Sequence, residues 1–181
     1  TISLHPETLI SVTRDICLSL ANHGFKKIIV VNGNRSANLP ALTIALKTLH
    51  EHELPNVQFA IVDPMKIAKG FAKKHQTTPE HHGGPIEISH MLYKHPELVD
   101  KSRLNNPKLD LKAKFSRFFS DDIYGKCEDT IDIPWSSAQQ RDFSPSGVFS
   151  DSTSATPELG KAYHEYMVAN LVEYINWLKT H

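Results

Sequence analysis

Apolar residues recur at helical spacing from residue 6 to residue 22, where Leu9, Val12, Ile16 and Leu20 form a stripe with Ile10 and Cys17 beside it. Pro6 and Glu7 suit a first turn, since proline lacks an N–H that would go unused there and the carboxylate faces the positive end of the helix dipole. Gly24 supplies a C-terminal stop. The period then breaks. Lys27-Ile28-Ile29-Val30-Val31 is a continuous β-branched run ending at Asn32-Gly33-Asn34, which predicts a strand buried on both faces, as in a parallel sheet. Asn38-Leu39-Pro40 predicts the cap and first turn of a second helix running to about His52, with Leu42, Ala45, Leu46 and Leu49 on its apolar side. A second strand over 57–62 ends at Asp63-Pro64.

This helix–strand–helix–strand order predicts right-handed crossovers and an α/β fold, a three-layer sandwich whose mainly parallel sheet is covered by helices. A polar stretch over 73–84 leads into a third helix from about Pro85 to His95. Residues 96–154 have weak periodicity and many Pro, Asn, Asp and Ser residues. Phe115, Phe118, Phe119 and Trp135 nevertheless require packing, which predicts a long excursion with short elements. The last helix runs from Pro157 to about Lys179 with Leu159, Tyr163, Tyr166, Met167, Leu171, Tyr174 and Leu178 along one side, a stripe that suits a core or a subunit interface. At 181 residues, the chain is expected to form a single domain, 1–181.

Charge changes the picture by exclusion. Lys and Arg number 20, as do Asp and Glu, so the basic excess of a nucleic-acid binder is missing. A small or weakly charged ligand fits that balance better. No stretch reaches the roughly 18 apolar residues of a membrane span, and the amino terminus has no secretory pattern, so a soluble, cytoplasmic protein is expected. Cys17 and Cys127 make neither a disulfide framework nor a zinc knuckle, which fits a reducing compartment. The chain opens at Thr1 without an initiator Met, which predicts a processed chain or a fragment.

Ligands of an open parallel sheet bind beyond the carboxyl ends of its strands. Three segments can reach that edge: Asn32 to Asn38, Asp63-Pro64, and the loop before the third helix. That loop, Glu80-His81-His82-Gly83-Gly84-Pro85-Ile86-Glu87, holds two glycines that permit a tight turn. The turn could bring the His82 imidazole to the Glu87 carboxylate, as a metal site or an acid–base pair requires; a solvated histidine and a dipole-favoured glutamate explain the same spacing. In the first segment Asn34 and Ser36 could orient a substrate and Arg35 could bind an anion, although a strand-to-helix turn accounts for these residues nearly as well. A further segment, Ser146 to Thr156, precedes the last helix and reads mainly as its cap, from Ser154 or Thr156 with Glu158 in the first turn.

Four segments in register resemble the creatininase family. Thr1-Ile2-Ser3-Leu4 through Thr8-Leu9 resembles the family's stretch after its Pro-Gly, and Val31-Asn32-Gly33 with Asn38 resembles its Asn-Gly-His-Gly-Gly-Asn loop. His82-Gly83-Gly84-Pro85-Ile86-Glu87-Ile88-Ser89 resembles its His-Ala-Gly-x-x-Glu-Thr-Ser segment. Gly147-Val148 through Asp151, Ala155-Thr156 and Gly160 resembles its last conserved stretch. The resemblance implies a layered α/β fold, a homo-oligomer, and a dinuclear divalent site (zinc, manganese or iron) that hydrolyses a non-peptide or cyclic amide. By it, Glu87 matches a metal-site carboxylate and His82 a histidine that contacts substrate or shuttles a proton. Asn34, Arg35, Ser36 and Asp63 are assigned to substrate binding.

The chain departs from the family where Asn34 stands in place of a metal-binding histidine and Arg35-Ser36-Ala37 follows it. The family's earlier Glu-x-His pair and Asp ligand would precede Thr1, so the remaining ligands are expected from a separate or cleaved amino-terminal chain. Two alternatives stand beside this reading. One is a catalytically silent binding or regulatory subunit in which Arg35 takes an anion; the other is a hydrolase using Thr1 as nucleophile, activated by its own amine.

Overall fold

The computed structural model describes residues 4–110, 116, 118–119, 122–124, 131 and 133–181, apart from the Ser36 side chain. The chain divides into two compact units, Thr1–Ile67 with Leu171–His181, and Ala68–Asn170.

In the first unit α1 (Pro6–Asn22) leads to β1 (Lys27–Val31), and α2 (Arg35–His52) leads to β2 (Gln58–Val62). The two strands pair in parallel, Lys27 with Gln58 through Val31 with Val62, as the crossover order requires. The ladder continues one step further, where Asn32 N–H donates to the Val62 carbonyl at 2.8 Å. Cys17, Ile28, Leu46, Leu49 and Val57 form the buried centre between helices and sheet, with Val30, Phe59 and Ile61 against it. The result is the expected α/β arrangement, with two strands in the sheet among the described residues.

Three local expectations are corrected. α1 turns Thr13 and Cys17 inward while Val12 and Ile16 are exposed, so its buried line is rotated from the predicted stripe. Val31 is also exposed, and β1 is half-covered rather than buried on both faces. α2 begins at Arg35 instead of beside Asn38, because the Asn34 side chain accepts the Ala37 N–H at 3.1 Å and caps the helix earlier. Pro40 thus lies inside the helix, where it removes one backbone donor.

The second unit holds α4 (Lys69–His75), α5 (Pro85–Lys94), two 3-10 turns (Pro96–Leu98 and Lys101–Arg103) and α6 (Ser137–Phe143). α3 (Pro64–Ile67) precedes it in the first unit, and α7 (Pro157–Thr180) gives its first part to the second unit and its last part to the first. α4 falls across the start of the expected polar stretch; its seven residues carry three lysines and a glycine and show too little period to be read as a helix. The excursion packs as required: Phe119 and Phe149 are buried with Leu109, Ile133, Trp135 and Phe143 around them. Phe115 and Cys127 lie outside the described residues. Cys17 is a free, buried thiol.

α5 and α7 cross at Gly160, where a Cβ would come within 1.8 Å of the Ser89 carbonyl oxygen. Backbone cannot yield as a flexible side chain does. Gly160→Ala should therefore destabilise the protein by about 3 kcal/mol, at the upper end of overpacking costs, read as a lower urea midpoint with an unchanged slope. A midpoint within error of the parent would show that the crossing has slack.

Candidate functional site

Residues 80–87 form the first site region, in the second unit. Glu80 is fully buried, and its carboxylate spans the start of α5: Oε1 accepts the Glu87 N–H at 3.0 Å and Oε2 the Ile86 N–H at 3.1 Å. These are amides that a helix leaves unpaired at its N-terminus. Gly84 is required here, because a Cβ would lie 2.5 Å from the Glu80 carboxylate. Gly83 adopts a φ of +68°, and its N–H donates to Glu87 Oε2 at 2.9 Å. The peptide joining His82 to Gly83 is thus held against the Glu87 carboxylate, and the two predicted residues share one loop–helix corner.

His82 is exposed, and its carbonyl accepts the Phe149 N–H at 2.8 Å. Its own N–H donates to His81 Nδ1 at 2.9 Å. The His81 ring stands 5.4 Å from Phe149 and 6.4 Å from both Phe119 and Trp135, so aromatic faces fix the histidine next to His82. Desolvation pushes the Glu80 carboxyl up to about 7 although the Glu87 and Ile86 amides pull it down; the nearby carboxylates of Glu87 and Asp122 add to the rise. Asp122, itself buried, accepts from Gln76 Nε2 at 2.9 Å and from the Tyr124 N–H at 3.1 Å. Burial raises the Tyr124 phenol far above its ordinary value.

The second region is the carboxyl edge of β1 and β2, in the first unit. Asn32 and Asp63 each follow the last residue of their strand, so extending the register by one step sets them side by side. Asp63 is buried, with Oδ1 accepting the Met65 N–H at 3.0 Å and Oδ2 lying 3.5 Å from Arg35 Nε. That contact is an ion pair without hydrogen-bond geometry, since Asp63 Oδ2 has no hydrogen-bond partner among the described residues. Asn32 Oδ1 accepts the Asn34 N–H at 3.2 Å. Of the expected substrate-binding residues, Asn34 is thus a helix cap and Arg35 and Asp63 pair with each other. The Ser36 side chain and Thr1 lie outside what is described.

Sequence reasoning passed over Glu80 and Asn32 as site residues. Glu80 carried a usable signal, an acidic residue five positions before a proline-led helix across a Gly-Gly turn. Asn32 carried its place at the end of a strand and its match to the Asn-Gly start of the family loop.

No group of three or more His, Cys, Asp or Glu able to hold a metal occurs among the described residues. At the strand edge Asn34 offers an amide already used as a cap, and a guanidinium sits against the one buried carboxylate. The described donor set does not fit a resident divalent metal by itself.

A parallel α/β fold with candidate chemistry at strand ends and in the loop before α5 defines the general class. The sequence profile of the creatininase family, described as creatinine amidohydrolase, matches residues 1–175, and the chain belongs to that family. It is 29% identical over 114 residues to a creatinine amidohydrolase of Pseudomonas putida, an alignment covering 58% of this chain and 44% of that one. A Glu-to-Gln variant of creatininase in a Zn–Zn form has the same fold at a TM-score of 0.69 and 21% identity, covering 97% of this chain and 65% of that one. A manganese creatininase gives 0.69 and 23%, with the same coverage of 97% and 65%. The chain therefore spans less than half of the curated relative and about two thirds of these solved chains.

Glu80 should carry the α5 corner. Glu80→Ala leaves two helix-start amides without their acceptor in a buried place, which should cost roughly 2–4 kcal/mol by denaturant unfolding, at about 1–2 kcal/mol per orphaned donor. Glu80→Gln keeps one acceptor and should lose less. Equal losses for the two variants would remove Glu80 from that role.

Proposed function

We propose that this chain supplies part of a metal-dependent amidohydrolase that cleaves a non-peptide or cyclic amide C–N bond. The observation that supports this reading is the corner where Gly83 N–H fixes the Glu87 carboxylate beside the His82 peptide, in a chain of the creatininase family. Glu87 offers this chain's carboxylate to a divalent cation (zinc, manganese or iron), the other ligands coming from an amino-terminal segment of the same precursor or from a separate chain. Relatives in Zn–Zn and manganese forms support the choice of metals. Exposed His82 can hand a proton to the departing nitrogen, a role worth about 10²–10⁴ in rate. Asn34, Arg35, Ser36 and Asp63 are the residues assigned to binding the substrate, a small amide, and the protein works as a homo-oligomer in the cytoplasm. No described helix is long and apolar enough to cross a membrane.

A second reading has its own support. Asn34 capping α2 and Arg35 paired with Asp63 suit a creatininase-like subunit that binds without turning over.

Creatinine hydrolysis by the native particle, with zinc or manganese added, separates the two. On the first reading turnover is abolished by a chelator, falls at least a hundredfold in Glu87→Ala, and falls by about 10²–10⁴ in His82→Ala. Turnover unchanged in Glu87→Ala overturns the assignment of that residue, whereas absent turnover with absent metal selects the silent subunit.

A further inference from the structure

The crossing of α5 and α7 within the second unit holds a side-chain pair that the amidohydrolase reading leaves unused. At Gly160 the two backbones nearly touch, and the Thr156 N–H donates to the Ser89 hydroxyl at 3.0 Å. One turn further along α7, His164 Nδ1 lies 3.0 Å from His90 Nε2. The Tyr163 ring stands edge-on to His90 at 5.5 Å, and the Tyr93 ring lies 5.7 Å from His164. Both imidazoles are half-buried. With the backbones pinned at Gly160, the two nitrogens have little room to separate unless the crossing parts.

Two ring nitrogens at that distance need one proton between them. A pair of neutral imidazoles provides it. One added proton turns the contact into a charge-assisted bond, which is stronger. A second added proton sets N–H against N–H with two like charges in contact.

The surroundings do not absorb that charge. Lys94, one turn beyond His90 on α5, adds another positive group. Lys161, one turn before His164, is matched by Glu165 at 3.8 Å. Glu87, one turn before His90, is turned toward the Gly83 amide. Among the described residues, the phenols of Tyr163 and Tyr93 also stand beside the pair.

We propose that His90 and His164 form a proton-sensitive latch on the α5–α7 crossing, closed while the pair carries at most one added proton and opened by the second. Burial, with His164 and Lys94 nearby, holds the His90 imidazole below its ordinary value, so the fold favours the neutral ring. The latch is therefore closed above the ordinary histidine range, about pH 6.5, stays closed through the first added proton, and is lost as pH falls further and the second arrives. The inference stands on the crossing alone and is independent of hydrolysis.

Hydrogen exchange of the α5 amides in the full chain, at pH 7.5 and 5.5 and corrected for intrinsic rates, tests it. Protection over 85–94 should fall about tenfold in the parent, the change that loss of one charge-assisted contact of roughly 1.4 kcal/mol produces. In His164→Gln and in His90→Gln, where one imidazole and a neutral amide remain, the fall should shrink below about threefold. An equal fall in parent and variants, or none in the parent, overturns the latch. Should both variants fail to fold, histidine NMR on the unaltered chain decides: coupled, unequal titration steps support it, and two independent ordinary curves overturn it.

Discussion

A carboxyl group removed from water must be given donors or a cation, or it is forced toward its neutral form. Glu80 meets this constraint with the backbone. Its two oxygens take the Ile86 and Glu87 amides, which α5 would otherwise leave unpaired, and its bulk fills the space in which a side chain at position 84 would have to sit. The direction of α5, the tight turn before it and the placement of Glu87 follow from that one arrangement. Glu87 then closes the turn from the other side through the Gly83 amide, so the corner is held by two carboxylates with different tasks. One is buried and structural. The other is half-buried.

Asp63 meets the same constraint differently. One oxygen starts α3 through the Met65 amide, and the other faces the Arg35 guanidinium at 3.5 Å. A guanidinium at that position brings a fixed positive charge to the sheet edge, where it repels a second cation at short range. Beside it, the buried Asn32 Nδ2 has no hydrogen-bond partner among the described residues. The strand edge is chemically distinct from the α5 corner, and neither contains a complete ligand set among the described residues.

The parallel pair and its helices were legible because they depend on long apolar patterns: β1, β2, and the buried Leu42, Ala45, Leu46 and Leu49 of α2 follow directly. Boundaries were less legible where two caps competed. Asn34 and Asn38 both precede helix-compatible residues, and Pro40 made the later one look favourable; the Asn34–Ala37 bond decides for the earlier one through tertiary placement of the turn. The rotation of α1 was hidden for a similar reason, since Thr13 is small enough to be buried where a periodicity argument puts Val12 outward only reluctantly. At the site, the family segment drew attention to His82 and Glu87, whereas the signal of Glu80, its spacing before the Gly-Gly turn, gained meaning once its carboxylate was seen on the α5 amides.

The fold of this chain and the chemistry of its sheet edge rest on different contacts. The devices that shape this chain are close approaches of backbone, at Gly84 under Glu80 and at Gly160 over Ser89, together with apolar packing in the first unit. None of them uses the side chain at position 34. There an asparagine caps α2 well, since its short amide reaches the Ala37 N–H, and capping by such a residue contributes about 1 kcal/mol to a helix. An asparagine at that place therefore steadies the second helix without disturbing those contacts. Similarity of architecture consequently carries little information about cation binding at this edge, and the chemistry of the chain must be argued from the α5 corner.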